Sequence, residues 1–237
     1  MSNTKPRGNS APPSVPEAAK LPDVILLNGT SSAGKSSLTL ALQAQLPFVR
    51  MGIDDFIWER APIGWYDAPE GFVFPPSGGI PPEFGVEALK LWRAYHRAVR
   101  ICVTEGLGVV VDDLIMTREF LDDWVTALAG ADVFFVGVHC APEELTLREI
   151  ARRDRRRGSA VGALEYVHAH AVYDLEIDST ATPSSALAAQ IIAALQTRSG
   201  PSAFERAARR SRKLTIGKKP WPDQENIWTA TQRPRRW

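Results

Sequence analysis

The chain has only two cysteines in 237 residues and a formal net charge of +1, from 28 Lys and Arg against 27 Asp and Glu. It also has no uninterrupted run of eighteen apolar residues. So little cysteine excludes a disulfide-built scaffold. Cys102 and Cys140, in the apolar settings ICV and VHC, are expected to be buried free thiols. Without a long apolar run there is no candidate membrane span, and the opening MSNTKPRGNSAPPSVPEAAK has no hydrophobic core of a secretory leader. Residues 1–20 are therefore expected to form a disordered leader, and the protein to be cytoplasmic. His96, His139, His168 and His170 have neither zinc-ligand spacing nor a nucleophilic partner, so packing or surface roles are expected for them.

The 44% of apolar residues suffice for one globular core. The balanced charge hides a division: residues 198–237 carry eleven basic and three acidic side chains, net +8, which leaves −7 on residues 1–197. Residues 21–197 read as the folded domain and 198–237 as a basic extension punctuated by Trp and Pro. No nucleic-acid reader module occurs in that extension. It is expected to be solvated or self-packing, and nucleic acid is not an expected partner.

Short apolar runs alternate with helical patterns along the domain. DVILLN at 23–28 precedes a helix with Leu38, Leu42 and Leu46, and PFVRMG from Pro47 is a second strand. Residues 86–100 form a helix whose inner stripe includes Leu89, Trp92 and Val99. Val109–Val111 and Val133–Val138 are further buried strands, a helix starts at Glu143, and Tyr173–Ile177 is a last strand before a helix at 184–195. Such alternation predicts a three-layer α/β domain with a parallel, doubly wound sheet. The Pro, Gly and aromatic excursion at 61–85 is expected to be a lid or binding loop, and Trp58, Trp65, Tyr66, Phe72, Phe74 and Phe84 are candidates for an apolar pocket beneath it, although most could be core.

Gly29, Thr30, Ser31, Ser32, Ala33, Gly34, Lys35 and Ser36, followed by Ser37, satisfy G-x-x-x-x-G-K-[ST] between a strand and a helix, the setting in which the pattern cradles phosphates. The glycines permit a tight backbone path, the loop N–H groups and the helix N-terminus meet phosphate oxygens, Lys35 supplies a cation, and Ser36 can ligate Mg²⁺. Asp112, at the end of a valine strand, is a second Mg²⁺ candidate, with Asp113 as its alternative; either could instead cap a helix near Thr117. Asp54, after the second strand, is placed to orient an acceptor hydroxyl and take its proton late in transfer, or else to cap a helix, for which Asp55 competes. Arg148, Arg152, Arg153, Arg155, Arg156 and Arg157 read either as a phosphate-facing lid on one helical face or as a solvated surface, with Gly158–Gly162 as a hinge.

The ordered set ILLNGTSSAGKSS (25–37), MGIDDFI (51–57), VVVDDLIM (109–116), VFFVGVHC (133–140), LREIARRDR (147–155) and YVHAHAVYDLEIDST (166–180) resembles the chloramphenicol phosphotransferase family of small P-loop kinases. The resemblance implies a P-loop kinase fold and ATP-dependent phosphorylation of a hydroxyl, in the named member the primary hydroxyl of chloramphenicol. It carries the family's general base to Asp54, its nucleotide lysine and magnesium hydroxyl to Lys35 and Ser36, and its lid arginines to Arg148, Arg152 and Arg155. ATP and Mg²⁺ are the cofactors it implies, a small hydroxylated molecule the partner, and self-association a reasonable expectation. The loose match at 61–85 leaves open a kinase for another hydroxylated metabolite. A nucleotide-dependent regulatory or interaction protein is the alternative of a different class.

Overall fold

A computed structural model describes residues 21–74, 82–152 and 157–214, without the side chains of Trp58 and of residues 210–214. The expected leader and most of the basic extension lie outside the described residues. Along the chain come β1 (Val24–Asn28), α1 (Lys35–Gln43), β2 (Phe48–Gly52), α2 (Ile53–Trp58), a 3₁₀ turn (Ile63–Trp65), β3 (Phe72–Val73), β4 (Glu83–Phe84) and α3 (Val86–Thr104). They continue with β5 (Gly108–Asp113), α4 (Arg118–Ala127), β6 (Val133–His139), α5 (Pro142–Ala151), α6 (Ser159–Gly162), α7 (Leu164–Val167), β7 (Leu175–Asp178), α8 (Ser184–Thr197) and α9 (Ala203–Leu214).

The main sheet has the order β2-β5-β1-β6-β7 and every pairing is parallel. Parallel strands need crossovers, and the helices that provide them cover both faces, so the central strands read as unbroken apolar runs. Alternation along β1 divides the core in two. Val24 and Leu26 face a cluster with Trp92, Tyr95, Val99, Phe120 and Trp124 of α3 and α4, whereas Ile25 and Leu27 face Leu38 and Leu42 of α1 with Leu187 and Ile191 of α8. β1 leaves through α1 on one face and β5 leaves through α4 on the other, so a crevice opens at their C-terminal ends, where ligands bind in open α/β sheets.

Local signals explain the element ends. α1 starts after Gly34, at φ 83; α4 is capped by the Thr117 hydroxyl, which accepts from Phe120 N at 3.5 Å; α5 opens on Pro142. The cap at Thr117 removes that role from both Asp112 and Asp113. In α3 the buried stripe is Ala88, Trp92, Tyr95, His96 and Val99, and Leu89 packs half-buried at its margin. The last strand is Leu175–Asp178, two residues later than the apolar pattern at 173–177 predicts, because Tyr173 turns its ring onto Phe135 and Asp174 accepts from Phe135 N.

In the 61–85 excursion, the described residues 61–74 and 82–85 are more ordered than their composition predicts. β3 and β4 pair antiparallel, and Phe72 is buried between Tyr66, Phe74 and Phe84. Phe84 continues the stack onto Trp92 and Phe120. Phe72 is thus core, and Phe74, Phe84, Trp65 and Tyr66 pack half-buried against it. At the other end of the domain, Ala203 and Phe204 of α9 are buried, with Phe204 edge-on to Phe135. Both cysteines are free; Cys140 is buried, but Cys102 is only half-buried. No helix of the described residues is long and apolar enough to cross a membrane.

Candidate active site

Gly29 leaves β1 hard against β6: a Cβ there would stand 2.5 Å from the Val138 carbonyl oxygen, so only glycine lets the loop start at that point. The chain then winds through Ser32 at φ 61, a left-handed conformation that serine rarely adopts, before α1 begins at Lys35. Thr30 is fully buried and donates to Ala160 O at 2.6 Å, which fastens the loop to α6. The hydroxyls of Ser31 and Ser32 are buried without a hydrogen-bond partner. Orphaned polar atoms in a strained, helix-capping loop fit a polyphosphate whose oxygens would complete them.

Lys35 is nearly buried. Its ammonium donates to Thr30 O at 2.9 Å and stands 3.5 Å from Asp112. Ser36, one residue on, donates to the other Asp112 oxygen at 2.6 Å, and Ser37 is exposed. Burial raises the Asp112 carboxyl above the usual range, and Lys35 and the Ser36 hydroxyl counteract that rise. A hydroxyl and a carboxylate converging at the head of α1 form the hard oxygen pair that suits Mg²⁺. Asp113 alternates to the other face and is fully buried. It accepts from Trp124 Nε1 and Leu114 N, and lies 3.8 Å from His96 Nε2, whose Nδ1 is 2.6 Å from Asp123.

Asp54 lies in the first turn of α2, directly after β2, and is exposed. Gly52 pairs in register with Asp112, so Asp54 and Asp112 stand at the same edge of the sheet, close enough for the Asp54 charge to add to the rise at Asp112. The N-cap position of α2 is Gly52, so neither Asp54 nor Asp55 occupies it; Asp55 faces Arg50 at 4.0 Å. Tyr95, buried beneath this edge, donates to the Met51 carbonyl at 3.1 Å and joins β2 to α3. Burial, followed by the charges of Asp113, Asp112, Asp54 and Asp55, raises its hydroxyl well above its ordinary pKa.

Arg148 and Arg152 do not share the helical face expected from their spacing. α5 ends at Ala151, and Arg152 takes an extended conformation (φ −91, ψ 126), so Arg148 lies in the helix and Arg152 just past its end. Arg148 reaches the phosphate loop: its guanidinium lies 3.5 Å from where a Gly34 Cβ would be. Its Nε donates to Glu144 at 2.7 Å and Nη2 to the carbonyls of Ser179 and Thr180 at 2.7 and 3.2 Å. Arg153, Arg155 and Arg156 lie outside the described residues. Glu149, which spacing did not single out, is buried and accepts from Gly158 N, Ser159 Oγ and Ala160 N. These bonds close the segment after α5 at its base and, against the opposing effect of burial, lower the carboxyl below its ordinary pKa.

A parallel sheet with a phosphate-type loop after its central strand, flanked on both faces by helices, defines a P-loop kinase fold. The chain belongs to the chloramphenicol phosphotransferase-like family, whose model matches residues 22–196, and is by that membership a phosphotransferase. A Mycobacterium tuberculosis protein bearing the name "Putative O-phosphotransferase" is 37% identical over 212 residues, covering 79% of this chain and 88% of the relative. A sugar kinase from a Janibacter species superposes with TM-score 0.56 at 15% identity, over 73% of this chain and 93% of that one. APS kinase of M. tuberculosis, in complex with AMPPNP and APS, gives 0.52 at 12% identity, over 73% and 97%. A Sinorhizobium meliloti gluconokinase gives 0.50 at 20%, over 82% and 98%. These three share the fold.

Proposed function

We propose that this protein transfers the γ-phosphoryl group of ATP to a hydroxyl of a small molecule, with the primary hydroxyl of chloramphenicol as the first acceptor to test. The observation that carries this reading is the meeting of two sets of groups at one sheet edge: Lys35, Ser36 and Asp112 on the side of α1, and Asp54 at the start of α2. Phosphoryl transfer needs charge neutralised on the phosphates and a hydroxyl held in line with the bond that breaks, and this arrangement can supply both.

In this mechanism the loop from Gly29 to Ser37 wraps the phosphates, and Ser31 and Ser32 gain the partners they lack. Lys35 exchanges the Thr30 carbonyl for phosphate oxygens. Ser36 and Asp112 would hold Mg²⁺, which neutralises charge on the phosphates when bound. Asp54 aligns the acceptor hydroxyl; as its oxygen bonds to phosphorus and the bond to the leaving ADP oxygen breaks, the proton passes to the carboxylate. Arg148 steadies the loop beside Gly34, and Arg152 and Arg155 offer guanidinium groups to the transferring phosphate.

The test is a mass-spectrometric product assay of the purified full chain with Mg²⁺-ATP and chloramphenicol, with Asp54→Asn and no-ATP controls, extended to a panel of hydroxyl compounds. An Asp54-dependent phosphorylated product is expected. Folded protein that binds ATP yet phosphorylates nothing in the panel refutes the reading.

A further inference from the structure

Asn28, the last residue of β1, uses every polar atom of its buried amide. Nδ2 donates to Val167 O and to the Tyr173 hydroxyl, both at 2.8 Å, and Oδ1 accepts from Ile115 N at 2.8 Å. Tyr173 can approach because Gly137 beside it has no side chain; a Cβ there would run to 2.6 Å from the ring. The Tyr173 oxygen accepts from Asn28, so its own proton is directed to the remaining neighbour, His168 Nδ1, at 2.6 Å. An imidazole that accepts at Nδ1 carries its proton on Nε2. Donor and acceptor accounting along Asn28, Tyr173 and His168 thus fixes one tautomer.

That Nε2–H is a buried donor with no hydrogen-bond partner. A buried donor left unmade is destabilising, and fixed chains of polar groups rarely carry one without a use. The ring is also held uncharged: burial, then the neighbouring His139 and Lys35, lower its pKa to about 4, with Glu176 opposing them. His139 stacks on it at 4.2 Å and is itself tied to Glu176 at 2.7 Å. The stack opens at its outer side, where 38% of the His139 side chain is exposed.

The position of this donor indicates what it serves. Asn28 pairs in register with Asp113, and Asp112 with Gly52, so the chain that ends on His168 starts from the same C-terminal edge of the sheet as Asp112 and Asp54, and Tyr166 and Tyr173 belong to the apolar cluster that covers the α2 and α3 face. That face of the sheet lies opposite α1, which carries Lys35 and Ser36. We propose that His168 is a substrate-contacting residue that donates its neutral Nε2–H to an uncharged oxygen of the acceptor molecule, and that Asn28 and Tyr173 are positioning residues that preset its tautomer. An uncharged donor favours a hydroxyl, carbonyl or nitro oxygen and gives a carboxylate or phosphate no ionic advantage, so it selects neutral acceptors. This inference rests on the phosphotransferase reading.

The test combines spectroscopy with kinetics. Long-range ¹H–¹⁵N spectra of the full chain at pH 7 are expected to find His168 as the Nε2–H tautomer, unmoved by Mg²⁺-ADP and shifted when chloramphenicol is then added. The same spectra are taken with the first compound that the panel finds phosphorylated if chloramphenicol is not. His168→Phe is expected to raise the KM of that acceptor about tenfold, with the KM of ATP within about twofold, whereas His168→Gln, which keeps a donor, recovers most of the loss. A charged ring, an Nδ1–H tautomer, a response to Mg²⁺-ADP alone, or equal loss in the Phe and Gln variants overturns the proposal. A panel without any product removes the phosphotransferase reading and this inference together, whereas product formation that His168→Phe leaves unchanged removes the inference alone.

Discussion

The hydroxyl of Ser36 donates to Asp112 at 2.6 Å across 76 positions of sequence, which joins the first turn of α1 to the C-terminal end of β5. Lys35 approaches the same carboxylate from the loop side at 3.5 Å. Asp112→Asn keeps the shape and removes the charge. It is expected to raise the Mg²⁺ concentration for half-maximal transfer and to lower kcat by about 10²-fold, read from a metal titration of initial rates. An unchanged metal dependence restricts Asp112 to holding Lys35.

Asp54→Asn should leave nucleotide affinity within about twofold and reduce kcat by roughly 10²–10⁴, the range for a group that takes a proton in transfer. Lys35→Ala, by contrast, should weaken both nucleotide binding and transfer. Calorimetry with Mg²⁺-ADP separates the two variants, and unchanged kcat/KM in Asp54→Asn removes that residue from the mechanism.

Because Arg148 lies within α5 and Arg152 in extended backbone past its end, their loss should differ. Arg148→Ala removes a brace between the phosphate loop and the Ser179–Thr180 carbonyls, so nucleotide affinity falls and kcat follows. Arg152→Ala should chiefly lower kcat, by about 10-fold or more if its guanidinium meets the transferring phosphate. Identical effects on affinity and rate in both variants contradict this division.

The sheet, its parallel pairing and the phosphate loop were legible because each rests on local pattern: continuous apolar strands, glycine punctuation and a motif in its strand-to-helix setting. Asp112 could not be separated from Asp113 by sequence, since adjacent strand residues differ only in the face they meet, and that depends on register with β1 and β2. The pairing of Arg148 with Arg152 misled because i, i+4 spacing implies a shared face only while the helix lasts, and α5 stops at Ala151. Glu149 gave no signal: its importance comes from three donors nine to eleven residues downstream. His168 was visible only as a residue without metal-ligand spacing, since its hydrogen-bond chain runs through Asn28, far away in sequence.

Glu149→Ala leaves the donors of Gly158, Ser159 and Ala160 unpaired and is expected to cost about 2 kcal/mol. For a domain of this size that is a fall in Tm of roughly 4–8 °C. Faster proteolysis between residues 152 and 158 should accompany it. A variant as stable and as resistant as the parent refutes the staple.

His96 supplies a pH test. Burial disfavours its charged form, but the carboxylates of Asp113 and Asp123 outweigh burial and raise the pKa above the ordinary value. The stability this gives is complete below the unfolded-state value of roughly 6.5 and is lost as pH rises through the higher folded value. Urea midpoints of the parent should therefore decline across that interval, and those of His96→Gln should change less. Parallel pH profiles for the two proteins contradict the assignment.

The alternation of β1 between the two apolar clusters separates inheritance as well as space. In the proposed mechanism, residues that shape the α1 side answer to polyphosphate geometry, which is the same for every acceptor, while those on the α2 and α3 side answer to whatever molecule is modified. A lineage can therefore revise its choice of target by altering one face of shared strands while the other stays under unchanged selection. For laboratory evolution, libraries confined to the half-buried aromatics Phe56, Trp65, Tyr66 and Phe74 should retarget the enzyme at the least risk to its chemistry.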